Sequence, residues 1–256
     1  MLGFIGRGGL AGACAGLLSG LFSLLFAEAT LDRAIALEHS DGAEVFTRDV
    51  QYAGLLVTSV LAGVAIGIIF GVVYAVRHRR DPGTDPWGRA LRLAIAGFLG
   101  VSLLPFLRYP ANPPGAGDPD TVGVRTAWWL AAIVIGIATM AAVAEVRRRL
   151  AAAPTPMRDL ATAGVVVLGL VVILLLPATP PADGVPAELL WSFRLYSVAA
   201  TGILWVGLGA GFGLAGWRAA KPAALAEIDL TRRPANPAEP PRESSTSAST
   251  TTMTAP

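Results

Sequence analysis

An all-α, polytopic membrane protein of six transmembrane helices is what this sequence predicts, on three observations. Charged residues make up only 15% of the 256-residue chain against 54% hydrophobic, with a mean hydropathy of +0.58. A soluble domain of this length carries about 25% charge. Six stretches meet or approach the roughly 20 apolar residues that a helix needs to cross a hydrocarbon core. The basic residues are sorted into alternate connecting segments, the pattern that sets orientation in membranes.

The first stretch runs from Leu2 to Phe26 and carries Arg7 near its start. Ala27-Glu28-Ala29 has the small-x-small form of a signal-peptide cleavage site. The apolar run is longer than a signal core and no soluble domain follows, so a retained anchor is expected. Cys14 is the single cysteine, which excludes an internal disulfide. Gly8, Gly12, Gly16 and Gly20 form three consecutive G-x-x-x-G steps on one face, where a second backbone can approach closely. That stripe reads either as an interface for a partner subunit or as packing against another helix of this chain.

The second and third stretches run from Tyr52 to Val76 and from Ala90 to Leu107. The fourth runs from Thr126 to Val146, the fifth from Leu160 to Leu176, and the sixth from Leu195 to Trp217. The sixth has its own small-residue stripe at Gly202, Gly209, Gly213 and Gly216. After spans two and four lie Arg77, Arg79, Arg80, Arg89 and Arg92, then Arg147, Arg148, Arg149 and Arg158. Beyond span six come Arg218, Lys221, Arg232, Arg233 and Arg242. The other connections hold only Arg33, Arg48, Arg108, Arg125 and Arg194. The positive-inside rule therefore predicts both chain ends in the cytoplasm. Arginine outnumbers lysine nineteen to one, in keeping with a bacterial source and hence a bacterial cytoplasmic (inner) membrane.

Two regions are expected: a transmembrane domain over 1–218 and a cytoplasmic tail over 219–256. The tail is rich in Pro, Ser and Thr and lacks the apolar content to fold.

Chemistry concentrates on the predicted outer face. Glu38-His39-Ser40-Asp41 followed by Glu44 places one imidazole among three carboxylates, a donor set suited to borderline divalent ions. A solvated loop accounts for the same residues. The third connection, Leu104-Pro105-Phe106-Leu107-Arg108-Tyr109-Pro110-Ala111-Asn112-Pro113-Pro114, is stiffened by its prolines. It positions Asn112, Asp118 and Asp120, either to line an ion entrance or merely to cap two helices. Pro177-Ala178-Thr179-Pro180-Pro181 in the fifth connection echoes Pro110-Ala111-Asn112-Pro113-Pro114 at four of five positions. Spans three-four and five-six are thus candidate parallel helix-pair repeats. The sequence has no P-loop, no H-E-x-x-H, no C-x-x-C and no G-x-S-x-G motif, so an enzyme is not expected. His39 and His78 fall on opposite sides of the predicted membrane.

The proline-rich third connection, with Gly117-Asp118-Pro119-Asp120-Thr121 and Arg125-Thr126, resembles the CbtA family of predicted cobalt-transporter subunits. Glu38-His39, Glu44-Val45-Phe46 and Pro186-Ala187-Glu188-Leu189-Leu190-Trp191-Ser192-Phe193-Arg194-Leu195 support it, and the likeness covers roughly residues 5 to 217. The resemblance implies a multi-pass subunit for cobalt uptake that supplies cobalamin synthesis. It also implies a small single-span, histidine-bearing partner of the CbtB type. Co²⁺ is then the transported substrate and no resident cofactor is expected. The lipid bilayer is the other partner, and no nucleic acid is involved. The residues themselves place Glu38, His39 and Glu44 as ion collectors, with Asn112, Asp118 and Asp120 at the entrance. A non-transporting membrane anchor for a partner subunit, and a carrier of another divalent cation or small solute, are the competing readings.

Overall fold

The computed structural model describes residues 1–27, 48–78, 85–113, 119–178 and 185–232. Among these residues all regular structure is helical, and six helices are long and apolar enough to cross a membrane. They are α1 (Leu2–Phe22), α2 (Arg48–His78), α3 (Pro86–Arg108), α4 (Val122–Arg149), α5 (Thr155–Leu174) and α6 (Ala187–Arg232). The chain divides into two units, Met1–Trp217 and Arg218–Pro256. Within the second unit the residues up to Arg232 are helical, so helix extends into the segment that composition assigns to the tail.

Every helix except α1 is longer than the apolar stretch that announces it. Hydropathy marks only the part that meets hydrocarbon, whereas the hydrogen-bond ladder continues into polar residues. At the start of α3, Asp85 adopts a left-handed conformation (φ 52°, ψ 64°) and its Oδ1 accepts from Gly88 N at 2.8 Å. Pro86, whose missing N–H is no loss at a first helical position, follows it. Asp85→Ala is expected to lower stability by about 1 kcal/mol, the usual worth of such a cap, and Asp85→Gly by only a few tenths. Thermal melts in detergent check this; no loss in either variant would show that the side-chain bond contributes nothing.

In α3 the ladder widens into a π-helical segment, Phe98–Leu103, just before Pro105. Proline has no N–H to give and its ring crowds the carbonyl four residues back, here that of Val101. A π turn is one of the few local ways to absorb this within a continuous helix.

In the first unit α1 and α2 approach backbone to backbone. Gly8, Gly12, Gly16 and Gly20 are buried. A Cβ on Gly8, Gly12 or Gly16 would enter the carbonyl oxygen of Gly67, Gly63 or Ser59, and one on Gly63 or Gly67 would enter that of Gly12 or Gly8. The stripe offered by the sequence as a partner interface is therefore filled by α2 of the same chain. The reason is a matching stripe, Gly63, Gly67 and Gly71, on the facing helix.

The small-residue face of α6 is likewise used internally. Gly207 and Gly211 meet Ala15 and Ala11 of α1, and Gly209 and Gly213 meet Ala94 and Ala90 of α3. One buried core joins α1, α2, α3 and α6 through Ala11, Ala15, Phe70, Tyr74, Ala90, Ala94, Leu204, Trp205, Leu208 and Phe212. A second, smaller one joins α3, α4 and α5 through Leu104, Ala132 and Ile173. The helices of each contacting sequential pair run antiparallel, so the ends of α1, α3 and α5 lie with the starts of α2, α4 and α6.

Polar side chains in the spans are consumed by packing. Ser19 Oγ donates to Ala200 O (2.8 Å), Trp205 Nε1 to Ser102 Oγ (3.0 Å), and Thr139 Oγ1 to Ile135 O in its own helix (2.8 Å). Arg7 sets its guanidinium over the rings of Phe4 and Phe212, 5.5 and 5.6 Å from their centroids, a favourable cation–π arrangement for a charge inside a span.

Candidate functional site

The two proline-rich connections that echo each other in sequence meet in space. Helix α3 ends at Arg108, where Tyr109 leaves helical geometry (φ −122°, ψ 70°) and Pro110 blocks continuation. Helix α5 ends at Leu174 and passes through Leu175 and Leu176 to Pro177. Arg108 Nη2 donates to Leu176 O, and Tyr109 Oη donates to Pro177 O at 2.8 Å. From the second turn of α6, Arg194 donates through Nη2 to Asn112 Oδ1 (3.0 Å) and through Nε to Ala111 O (3.4 Å). Tyr109 and Pro113 are buried. Four hydrogen bonds thus clasp the end of α3, the end of α5 and the start of α6.

The acceptors are all neutral: three backbone carbonyls and one side-chain amide. Arg108 also buries its Nε without a hydrogen-bond partner. Two guanidinium groups in one clasp repel a divalent cation, so this arrangement is suited to holding loops together and not to ligating a metal. The ends of the segments that flank residues 28–47 lie at the same end of the bundle. Phe22, near the end of α1, meets Tyr196 of α6 edge-on at 6.4 Å.

Of the residues singled out from sequence, Glu38, His39, Glu44 and Asp118 lie outside the described residues. Asn112 is described, and its amide oxygen is taken by Arg194. Asp120 sits exposed in the short turn Pro119–Thr121 that leads into α4. Among the described residues no three His, Cys, Asp or Glu side chains come together to hold a metal. His78, at the other end of the bundle, lies tilted against the ring of Tyr74 with ring centroids 4.7 Å apart.

A family model described as "probable cobalt transporter subunit (CbtA)" matches residues 2–216. This chain belongs to the CbtA family. No curated protein and no solved structure shows significant similarity to it. In this CbtA-family chain the match takes in all six spans and every residue of the clasp, and ends one residue before the close of the first unit. It is thus a multi-pass membrane protein of a family of transporter subunits.

Sequence reasoning placed Asn112 but missed its partners. Arg108, Tyr109 and Arg194 all stand in the motifs that carry the CbtA resemblance, yet none suggests a ligand by type. The available signal was the echo itself: two stiff loops with the same Pro-Ala-x-Pro-Pro pattern at adjoining helix ends, followed in each case by an arginine near the next helix start.

Proposed function

We propose that this chain is the multi-pass subunit of a bacterial Co²⁺ uptake system that supplies cobalamin synthesis. It sits in the cytoplasmic membrane with both ends inside and works with a small single-span, histidine-bearing subunit. The observation that carries the reading is the family match over residues 2–216. The sorting of the arginines supports the orientation.

In this reading Glu38, His39 and Glu44 collect the ion, while Asp118 and Asp120 raise the local cation concentration at the same face. Asn112 contributes to the entrance once Arg194 releases its oxygen. Co²⁺ binds such donors less tightly than Ni²⁺ or Cu²⁺, so selectivity rests on geometry and on ligands from the partner. The spans point the same way: Ser19, Ser102 and Thr139 are engaged in packing. The path is accordingly completed by a partner subunit or opened by a rearrangement of the bundle.

A non-transporting anchor is the second reading. It is favoured by the scarcity of ionisable groups at mid-span, since ion pathways usually place such groups there. Uptake of ⁵⁷Co²⁺ into cells expressing the chain, with and without the small subunit, separates the two. Saturable uptake that resists a modest excess of Ni²⁺ and Zn²⁺ is expected, together with at least a tenfold loss (about 1.4 kcal/mol) when Glu38, His39 and Glu44 are all replaced by alanine. No uptake in either case, with the protein present in the membrane, establishes the anchoring role or another substrate. Uptake unaffected by the triple replacement removes those three residues from the path.

A further inference from the structure

The end of the bundle opposite the clasp carries a groove for which the transport reading has no use. The C-terminal turns of α2 and α4 share no extended contact, and a cavity of about 370 Å³ lies between them. It is lined by Arg77 and His78 from α2 and by Ala141, Ala144, Glu145 and Arg148 from α4.

Its charge is positive. Glu145 accepts from Arg148 through two bonds (2.8 and 2.6 Å) and from Arg149 at 2.6 Å, so one carboxylate faces two guanidinium groups. Arg77 adds a further positive charge on the opposite wall. The alanines leave the floor shallow and apolar. One turn toward the middle of the spans from Arg77 and from Ala141, respectively, stand Val73 and Ile137, both exposed. A basic mouth over an apolar trough, at the end of two membrane helices, has the chemistry of a phospholipid and not that of a soluble anion.

We propose that this groove binds an anionic phospholipid. Its phosphodiester sits between Arg77 and Arg148 and one acyl chain lies along Val73 and Ile137. Arginine suits this role because its planar donor fork matches phosphate oxygens and stays charged at every physiological pH. A zwitterionic lipid brings its own cation to a positive mouth and is disfavoured. Basic pockets between transmembrane helices are known seats for such headgroups. The inference stands independently of what the chain transports.

Native mass spectrometry of the full-length protein, titrated with phosphatidylglycerol, phosphatidylcholine or inorganic phosphate, tests it. Phosphatidylglycerol is expected to be retained and phosphatidylcholine not, with inorganic phosphate failing to displace the lipid. The double variant Arg77→Gln/Arg148→Gln is expected to weaken phosphatidylglycerol binding by about thirtyfold. Arg92→Gln/Arg147→Gln removes as much charge from the same end without touching the groove lining, and is expected to weaken it by about threefold or less. Ala141→Trp fills the exposed trough with all charges intact and is expected to abolish retention even if the arginine pair proves needed for folding. Equal losses in the two double variants, equal retention of phosphatidylcholine, displacement by phosphate alone, or full retention in Ala141→Trp would each overturn the proposal.

Discussion

Gly12→Leu is expected to prevent this protein from accumulating in folded form, although the substitution adds only apolar atoms in a membrane span. The Cβ alone would enter the carbonyl oxygen of Gly63, and the Cα of Gly67 lies 3.0 Å from the same point. What it meets is backbone, which cannot rotate aside as a side chain can. The helices must separate, and separation undoes the neighbouring approaches at Gly8 and Gly16, because all belong to one stripe. Overpacking against adjustable side chains costs about 1–3 kcal/mol. Against two rigid backbones more than about 3 kcal/mol is expected, a large part of a typical folding free energy. Gly6 and Gly54 provide the control, since a Cβ there meets nothing within 4 Å. Gly6→Ala and Gly54→Ala are expected to be neutral or to stabilise by about 0.5–1 kcal/mol, the gain in helix propensity. Yield of monodisperse protein and the melting midpoint in detergent read both. A native-like midpoint for Gly12→Leu would mean that α1 and α2 do not meet through their glycines, leaving the stripe free for another chain.

The number and approximate positions of the spans were legible because lipid imposes one rule on every helix that crosses it: about 20 apolar residues in a row. The ends were less so. Span six was read from Leu195, yet α6 begins at Ala187, since Glu188 and Arg194 lower hydropathy without weakening the helix. Span three was read from Ala90, yet Asp85 and Pro86 start the helix a turn earlier. The stripe at Gly8, Gly12, Gly16 and Gly20 was visible, but its occupant was not. The answer lay in Gly63, Gly67 and Gly71, a second stripe at the same spacing that was not matched to the first. The clasp was the least legible feature. Its partners are 68 to 83 residues apart, and three of its four bonds end on backbone carbonyls, which no side-chain pattern announces.

Loosening that clasp is expected to open one end of the bundle without unfolding the rest, and Arg194 is the residue to change. It bonds Asn112 and Ala111 from one planar group, so Arg194→Lys, with a single point of charge, is not expected to rescue Arg194→Gln. Hydrogen bonds from a charged donor contribute about 1.5–3 kcal/mol when desolvated, and the Tyr109 hydroxyl about 1 kcal/mol. A double-mutant cycle between Arg194→Gln and Asn112→Ala should return a coupling of about 1–2 kcal/mol, whereas Arg194→Gln with Gly6→Ala at the opposite end of the bundle should return none. Hydrogen exchange is expected to rise at residues 109, 111 and 112 and at Leu175 and Leu176, while amides at the α1–α2 contact stay protected. Unchanged exchange at the loops would show that the four bonds hold nothing closed. Because both arginines stand at the end of the bundle where Asp120 leads into α4, ⁵⁷Co²⁺ uptake then decides what the clasp is for. If uptake changes at least severalfold in Arg194→Gln while amides at the α1–α2 contact stay protected, the two loops form a gate whose closed state the structure displays. If exchange rises and uptake does not move, the loops are a rigid cap and the ion crosses elsewhere, along the surface this chain shares with its partner.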